Sequence, residues 1–188
     1  MEKRLTELLD CLDSRRARLL AAVADVNPDI AELRPRDDAW SVAQVVAHLA
    51  IVESGVAKLV EKSVKWARQN NIGAESSDES ILGSLDARNI VLYPEKIEAP
   101  EATTPPADAK LETSLAALAA SRVALKQALE SGDGLDLSQV KRPHRILGEL
   151  NIYEWGLFIA QHEERHARQI TETIKAVCAE AVQTAPIV

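Results

Sequence analysis

The segment Trp40-Ser41-Val42-Ala43-Gln44-Val45-Val46-Ala47-His48-Leu49 decides how this chain is read. Ser41 is a favourable helix N-cap, and Gln44 three residues later completes a capping box. Trp40 before the cap and Val45 at the fourth helical position are placed as a hydrophobic staple. Val45, Leu49, Val52, Val56, Leu59 and Val60 then recur at helical spacing until the pattern fades near Asn70-Asn71. His48 lies beside Val45, Leu49 and Val52, so a long amphipathic helix carries a histidine on the face it buries.

Upstream, Leu5, Leu8, Leu9, Leu12, Leu19, Leu20 and Val23 predict a first helix that Asn27-Pro28 stops, with a loop following through Pro35 to Asp38. Downstream, Gly73, Ser76-Ser77, Gly83, Pro94, Pro100 and Pro105-Pro106 exclude a continuous helix over 72–106. Within that stretch Ile90-Val91-Leu92-Tyr93 is apolar enough to pack on something. A connection this long has a use: it carries the chain from one end of a bundle to the other, so that the second and third helices run parallel. The third helix is predicted at roughly 107–130, with Leu111, Leu115, Leu118, Leu125 and Leu129 as its stripe. Ser131-Gly132-Asp133-Gly134 ends it, and a second irregular stretch holds Lys141-Arg142-Pro143-His144-Arg145 and Gly148. The last helix begins near Leu150 and runs to about Ala181, with Trp155, Phe158, Ile159, Ile170, Ile174 and Val177 available to the core. Four long helices with little strand signal predict an all-α four-helix bundle, one domain over 1–180 with a C-terminal tail at 181–188.

The chain has 188 residues, enough to bury a sizeable core, and its 46% hydrophobic content argues against disorder. Its 22 basic against 29 acidic residues, a net charge of −7, provide no concentrated positive field for nucleic acid or an anionic membrane. The best basic cluster, Arg15-Arg16 with Arg18, is short and falls within a helical pattern. No run approaches the ~18–20 apolar residues of a membrane span. Met1-Glu2-Lys3-Arg4 leads into an amphipathic pattern rather than a signal-peptide core. Cys11 and Cys178 form no CxxC, and both thiols are expected to be inert. The expectation is an acidic protein of the reducing cytoplasm, with neither nucleic acid nor membrane as a partner.

His162 and His166 stand four residues apart on the last helix. At 3.6 residues per turn they lie about 40° apart and about 6 Å along the axis, so both rings reach one point. They share a face with Phe158, Ile159, Gln169 and Ile170, which turns them inward. If the second and fourth helices are neighbours, His48 joins them. Three neutral imidazoles in a bundle core leave several polar nitrogens to satisfy, and one divalent cation satisfies three at once. His162-Glu163-Glu164-Arg165-His166 also matches H-E-x-x-H, in which Glu163 would be a general base. No metzincin-type third histidine follows in 168–175, Glu172 and Glu180 fall within the same helix pattern, and a di-iron bundle would need two E-x-x-H units where one is present. Glu163 and Glu164 are expected to be solvated, with the alternative that either orients an imidazole on a neighbouring turn; Glu53 is expected to be a packing-edge or supporting carboxylate, and Gln169 the inward polar partner. His144 is expected as an exposed or capping residue, or as one at the mouth of the site. Trp40, Trp66 and Trp155 are expected in core or interface positions.

The element Trp40 to Leu49, followed by Glu53, resembles the N-terminal signature of the DinB/YfiT-like family. His144-Arg145-Ile146-Leu147-Gly148-Glu149-Leu150, then Tyr153-Glu154-Trp155, then His162 to Gln169-Ile170, resembles its C-terminal half, so that the likeness spans roughly residues 5–175. One departure is the order Pro143-His144, where the family often has His-Pro before its glycine. The resemblance implies an up-down-down-up bundle, a divalent metal ion (often nickel or zinc) on His48, His162 and His166, and possible homodimers. It also implies chemistry with a low-molecular-weight thiol such as bacillithiol or mycothiol, in S-transfer or isomerisation of an electrophile. Two alternatives share the same ligands: a non-enzymatic metal-stabilised binding or stress protein, and a metal-dependent hydrolase. The residues identify no catalytic group beyond the metal ligands.

Overall fold

Leu5, Leu8, Leu9, Leu12, Leu19 and Val23 are all buried along α1 (Lys3–Val23), as their spacing requires. In the computed structural model, residues 1–88, 90–91 and 98–184 are described, with side chains to 179. Leu92 and Tyr93 of the apolar piece, and residues 185–188 of the expected tail, lie outside the described residues. Asn27-Pro28 does more than stop α1. The Asn27 side chain accepts from the Asp29 amide and Pro28 takes the first helical position, so the expected loop begins with a one-turn helix, α2 (Pro28–Glu32).

The capping box that opens α3 (Val42–Gln69) forms as read: the Gln44 amide donates to Ser41 Oγ at 3.2 Å and the Ser41 amide donates to Gln44 Oε1 at 3.1 Å. Contrary to the sequence expectation, α3 is long and apolar enough to cross a membrane by length and composition. Of its most apolar window, 67% is buried in the bundle, which is the position of a central helix packed on several sides. α4 (Leu111–Glu130) starts four residues later than expected. α5 (Ile152–Thr184) opens on a reciprocal cap, in which Asn151 Oδ1 accepts from the Glu154 amide and Glu154 Oε2 accepts from the Asn151 amide.

End-to-end contacts establish the direction of each helix. Gln44 near the start of α3 donates to the Pro106 carbonyl just before α4, and Arg68 at the end of α3 donates to the Ser131 carbonyl just after it, so α3 and α4 run parallel. Leu8 fills the space against Gly156 near the start of α5, and Leu19 and Val23 cluster with Ile170 further along, so α1 and α5 also run parallel. His48, early on α3, meets His162 and His166 well inside α5, while Trp66 near the end of α3 carries Arg142 from just before α5. These two pairs are therefore antiparallel to each other, and the bundle is up-down-down-up. The 72–106 connection makes the crossing, anchored by buried Ile81, Leu85 and Ile90.

The second irregular stretch is a hairpin, although its sequence carries little strand signal. β1 (Lys141–His144) pairs antiparallel with β2 (Gly148–Asn151), His144 opposite Gly148. Gly148, the first residue of β2, has φ 76°, a left-handed conformation that glycine adopts without steric cost where the chain leaves the turn. Buried Val140, Leu147 and Leu150 fasten the hairpin to the bundle.

Candidate metal centre

His48 on α3 and His162 and His166 on α5 come together: one nitrogen of each ring lies within 4.8 Å of the others. The ring centroids are 5.3 Å (His48–His162), 5.1 Å (His48–His166) and 4.4 Å (His162–His166) apart. His48 and His166 are buried, whereas His162 keeps part of its surface accessible. The three histidines are thus positioned to hold a metal ion.

Two hydrogen bonds determine which nitrogen faces the centre. His48 Nδ1 is 2.8 Å from the Thr103 carbonyl, a pure acceptor, so Nδ1 carries the proton and Nε2 keeps its lone pair. His166 Nδ1 donates to Gln169 Oε1 at 2.7 Å, which likewise frees Nε2. His166 Nε2 and His162 Nε2 face each other at 3.0 Å, close enough for one shared proton and no more. Burial holds His48 below the ordinary histidine range against the Thr103 hydrogen bond. Burial, together with the charge a second proton would place beside His48, brings His166 down to about 3. His162 is held well below its usual value by burial first and then by His166 and His48. Neutral imidazoles whose nitrogens converge in a largely buried space are the donor set that a zinc- or nickel-type ion takes, so the residues fit the group.

Aromatic rings wall the triad. Trp40 lies 4.9 Å from the His48 ring, and Phe158 stacks on His162 at 5.3 Å. His144 is not among the converging rings. Its Nδ1 accepts from the amides of Ile146 and Leu147 and so caps the hairpin turn, while its ring lies 4.6 Å from Phe158. It takes the capping role that the sequence allowed. Trp155 is buried and Trp66 is exposed under Arg142. Burial pushes the half-buried Cys11 thiol up, away from reactivity.

The sequence profile of the DinB superfamily matches residues 11–170. This chain belongs to the DinB superfamily. It is similar to the uncharacterized protein YuaE of Bacillus subtilis (strain 168), 29% identical over 139 residues that cover 74% of this chain and 80% of YuaE. Its fold is similar to that of TT2238, a four-helix bundle protein, with a TM-score of 0.59 and 24% identity over 89% of this chain and 98% of that one.

The DinB chain also holds a buried charged layer. Glu163, expected in solvent, is 1% exposed. Its Oε1 accepts from Arg16 Nε at 2.8 Å and from Arg122 Nη2 at 2.9 Å. Glu53, equally buried, accepts from Arg16 Nη2, Arg122 Nε and Ser121 Oγ at 2.5–2.7 Å. Burial pushes the Glu163 carboxyl up, and the two guanidinia pull it back. A carboxylate engaged this way is not the free general base of an H-E-x-x-H protease. Glu164, also expected in solvent, is partly buried and pairs with Arg15 at 2.7 Å, so the basic cluster of α1 is largely neutralised. A signal for this layer was present. Arg16 lies between Leu12 and Leu19, Glu53 between Leu49 and Val56, Arg122 between Leu118 and Leu125, and Glu163 between Ile159 and His166. Each is a charged residue at a core position of its own stripe. Thr103 left no such signal, because it acts through its carbonyl.

Proposed function

We propose that His48, His162 and His166 bind one divalent metal ion, zinc or nickel, and that the site activates a low-molecular-weight thiol for transfer to, or isomerisation of, an electrophile. The observation that carries the reading is the convergence of three imidazoles, two of them, His48 and His166, buried and with tautomers set by Thr103 and Gln169. Bound there, such an ion lowers the pKa of a coordinated thiol or water and polarises a carbonyl. The protein's own part is to present three neutral nitrogens, hold two of them by hydrogen bonds on the far side of each ring, and keep water away with Trp40 and Phe158. Three protein ligands leave further coordination positions for a sulfur atom, and the DinB resemblance supports a thiol there. Residence in the cytoplasm and a homodimer belong to the same proposal.

The test is metal analysis of untagged protein followed by turnover assays with a panel of thiols and electrophiles. Thiol-dependent turnover that disappears together with the metal in His48→Ala is the expected result. Wild-type metal content in His48→Ala would sink the site. Full metal loading without any thiol turnover favours the binding-protein reading, and ester or amide hydrolysis without added thiol favours the hydrolase. Sedimentation in reducing buffer reads the oligomeric state.

A further inference from the structure

The buried charged layer has no part in the function proposed above. Its four members come one from each long helix: Arg16 from α1, Glu53 from α3, Arg122 from α4 and Glu163 from α5. Taking four ionised groups out of water is costly, and well-packed apolar side chains at such positions commonly give an equal or more stable fold. Stability alone is therefore a poor account of them. What apolar side chains do not supply is direction: they fill space yet permit one helix to slide or roll against its neighbour.

The arrangement is directional. Both carboxylates lie on the helices that carry the histidines. Glu163 follows His162 directly and precedes His166 by three residues, and Glu53 follows His48 by five. Both guanidinium groups come from the two helices that carry none. Each guanidinium bridges both carboxylates: Arg16 reaches Glu53 at 2.7 Å and Glu163 at 2.6 Å, and Arg122 reaches Glu53 at 2.7 Å and Glu163 at 2.9 Å. Arg16 Nη1 also donates to the Leu118 carbonyl of α4 at 2.8 Å, which ties the fork to a backbone. Arg122 Nη1 and Glu163 Oε2 are left buried without a protein partner, so the geometry favours bridging between helices over complete hydrogen bonding. Two crossed forks thus determine the spacing and rotation of α5 against α3 at the level where His48 must meet His162 and His166.

We propose that Arg16, Glu53, Arg122 and Glu163 are positioning residues for the histidine triad, holding α3 and α5 in the register at which the three imidazole nitrogens converge. The glutamate of the H-E-x-x-H match has this role in place of a general base. The assignment rests on the reading that the triad binds a divalent ion.

The test uses cobalt(II) as the probe, with wild type and His166→Ala as references. One variant combines Arg16→Met, Glu53→Leu, Arg122→Met and Glu163→Met, which removes every charge at similar volume. The other, Arg122→Lys, keeps the charge and loses the fork. The readouts are cobalt affinity, the d–d absorption band and the melting temperature of the metal-free protein. The combined variant is expected to melt at or above the wild-type temperature, to bind cobalt about 10- to 100-fold more weakly and to show a changed band. Arg122→Lys is expected to change affinity and band in the same direction and by less. A merely structural layer would leave affinity and band as in wild type once the fold is intact, and that result in either folded variant overturns the assignment. Should the combined variant not fold, Arg122→Lys decides alone on the same two readouts. A wild type that takes up no cobalt, or a His166→Ala variant that takes it up undiminished, overturns the metal reading and this assignment with it.

Discussion

Acid should destabilise the metal-free protein through its histidines, by an amount the structure sets. In the folded chain His162 Nε2 and His166 Nε2 face each other at 3.0 Å, so a second proton between them has no acceptor. Burial first, and then the charge a proton would place beside His48, bring His166 down to about 3. In the unfolded chain a histidine titrates near ~6.5. The folded value is depressed, so the unfolded state binds more protons throughout the window between the two. Stability is therefore fully present above pH ~6.5 and falls as the pH drops. Each unit of difference corresponds to about 1.4 kcal/mol, so His166 alone removes about 2.5 kcal/mol between pH 7.5 and 4.5. His162 and His48 are shifted in the same direction and add to the loss. Against the 5–15 kcal/mol of an ordinary domain this is a large share. Urea unfolding followed by circular dichroism at pH 7.5, 6.5, 5.5 and 4.5, with a chelator present, measures it. The double variant His162→Leu/His166→Leu should show a much shallower decline. Parallel declines in wild type and double variant would refute the reasoning, because the acid sensitivity would then belong to other groups.

Gln169→Leu leaves the His166 Nδ1 proton buried without its acceptor; zinc affinity by chelator competition should fall about 10- to 100-fold. Ser41→Ala removes the side chain that caps α3 and should lower stability by about 1 kcal/mol in denaturant titration, with the far-UV spectrum unchanged. Leu12, fully buried where α1 meets the core, should cost about 2–5 kcal/mol on truncation to alanine by the same titration. Adding zinc to the wild-type protein at 100 times its dissociation constant should raise stability by about 2.7 kcal/mol at neutral pH, and His48→Ala should abolish that increment.

Much of this molecule was legible because its determinants are local or periodic. The capping box at Ser41, the apolar stripes, and the four-residue spacing of His162 and His166 need nothing beyond helix geometry to be read. The length of the 72–106 connection was enough to predict two parallel helices. Three features were not legible for three different reasons. The hairpin at 141–151 is held by Gly148 and by Val140, Leu147 and Leu150 buried in the core rather than by alternating strand residues, so its strands leave no period of two. Thr103 supports His48 through a backbone carbonyl, which every residue possesses. The burial of Glu163 was not legible because a glutamate is ordinarily solvated, and only the arrival of Arg16 and Arg122 from two other helices makes its burial tolerable. The sequence by itself determined four helices, their buried faces and which histidines look inward, because each follows from spacing along one chain segment. Tertiary structure alone decided that Glu163 is a link between helices and not a base, and which nitrogen of each ring faces the centre, because those depend on partners remote in sequence that only packing brings within a hydrogen bond.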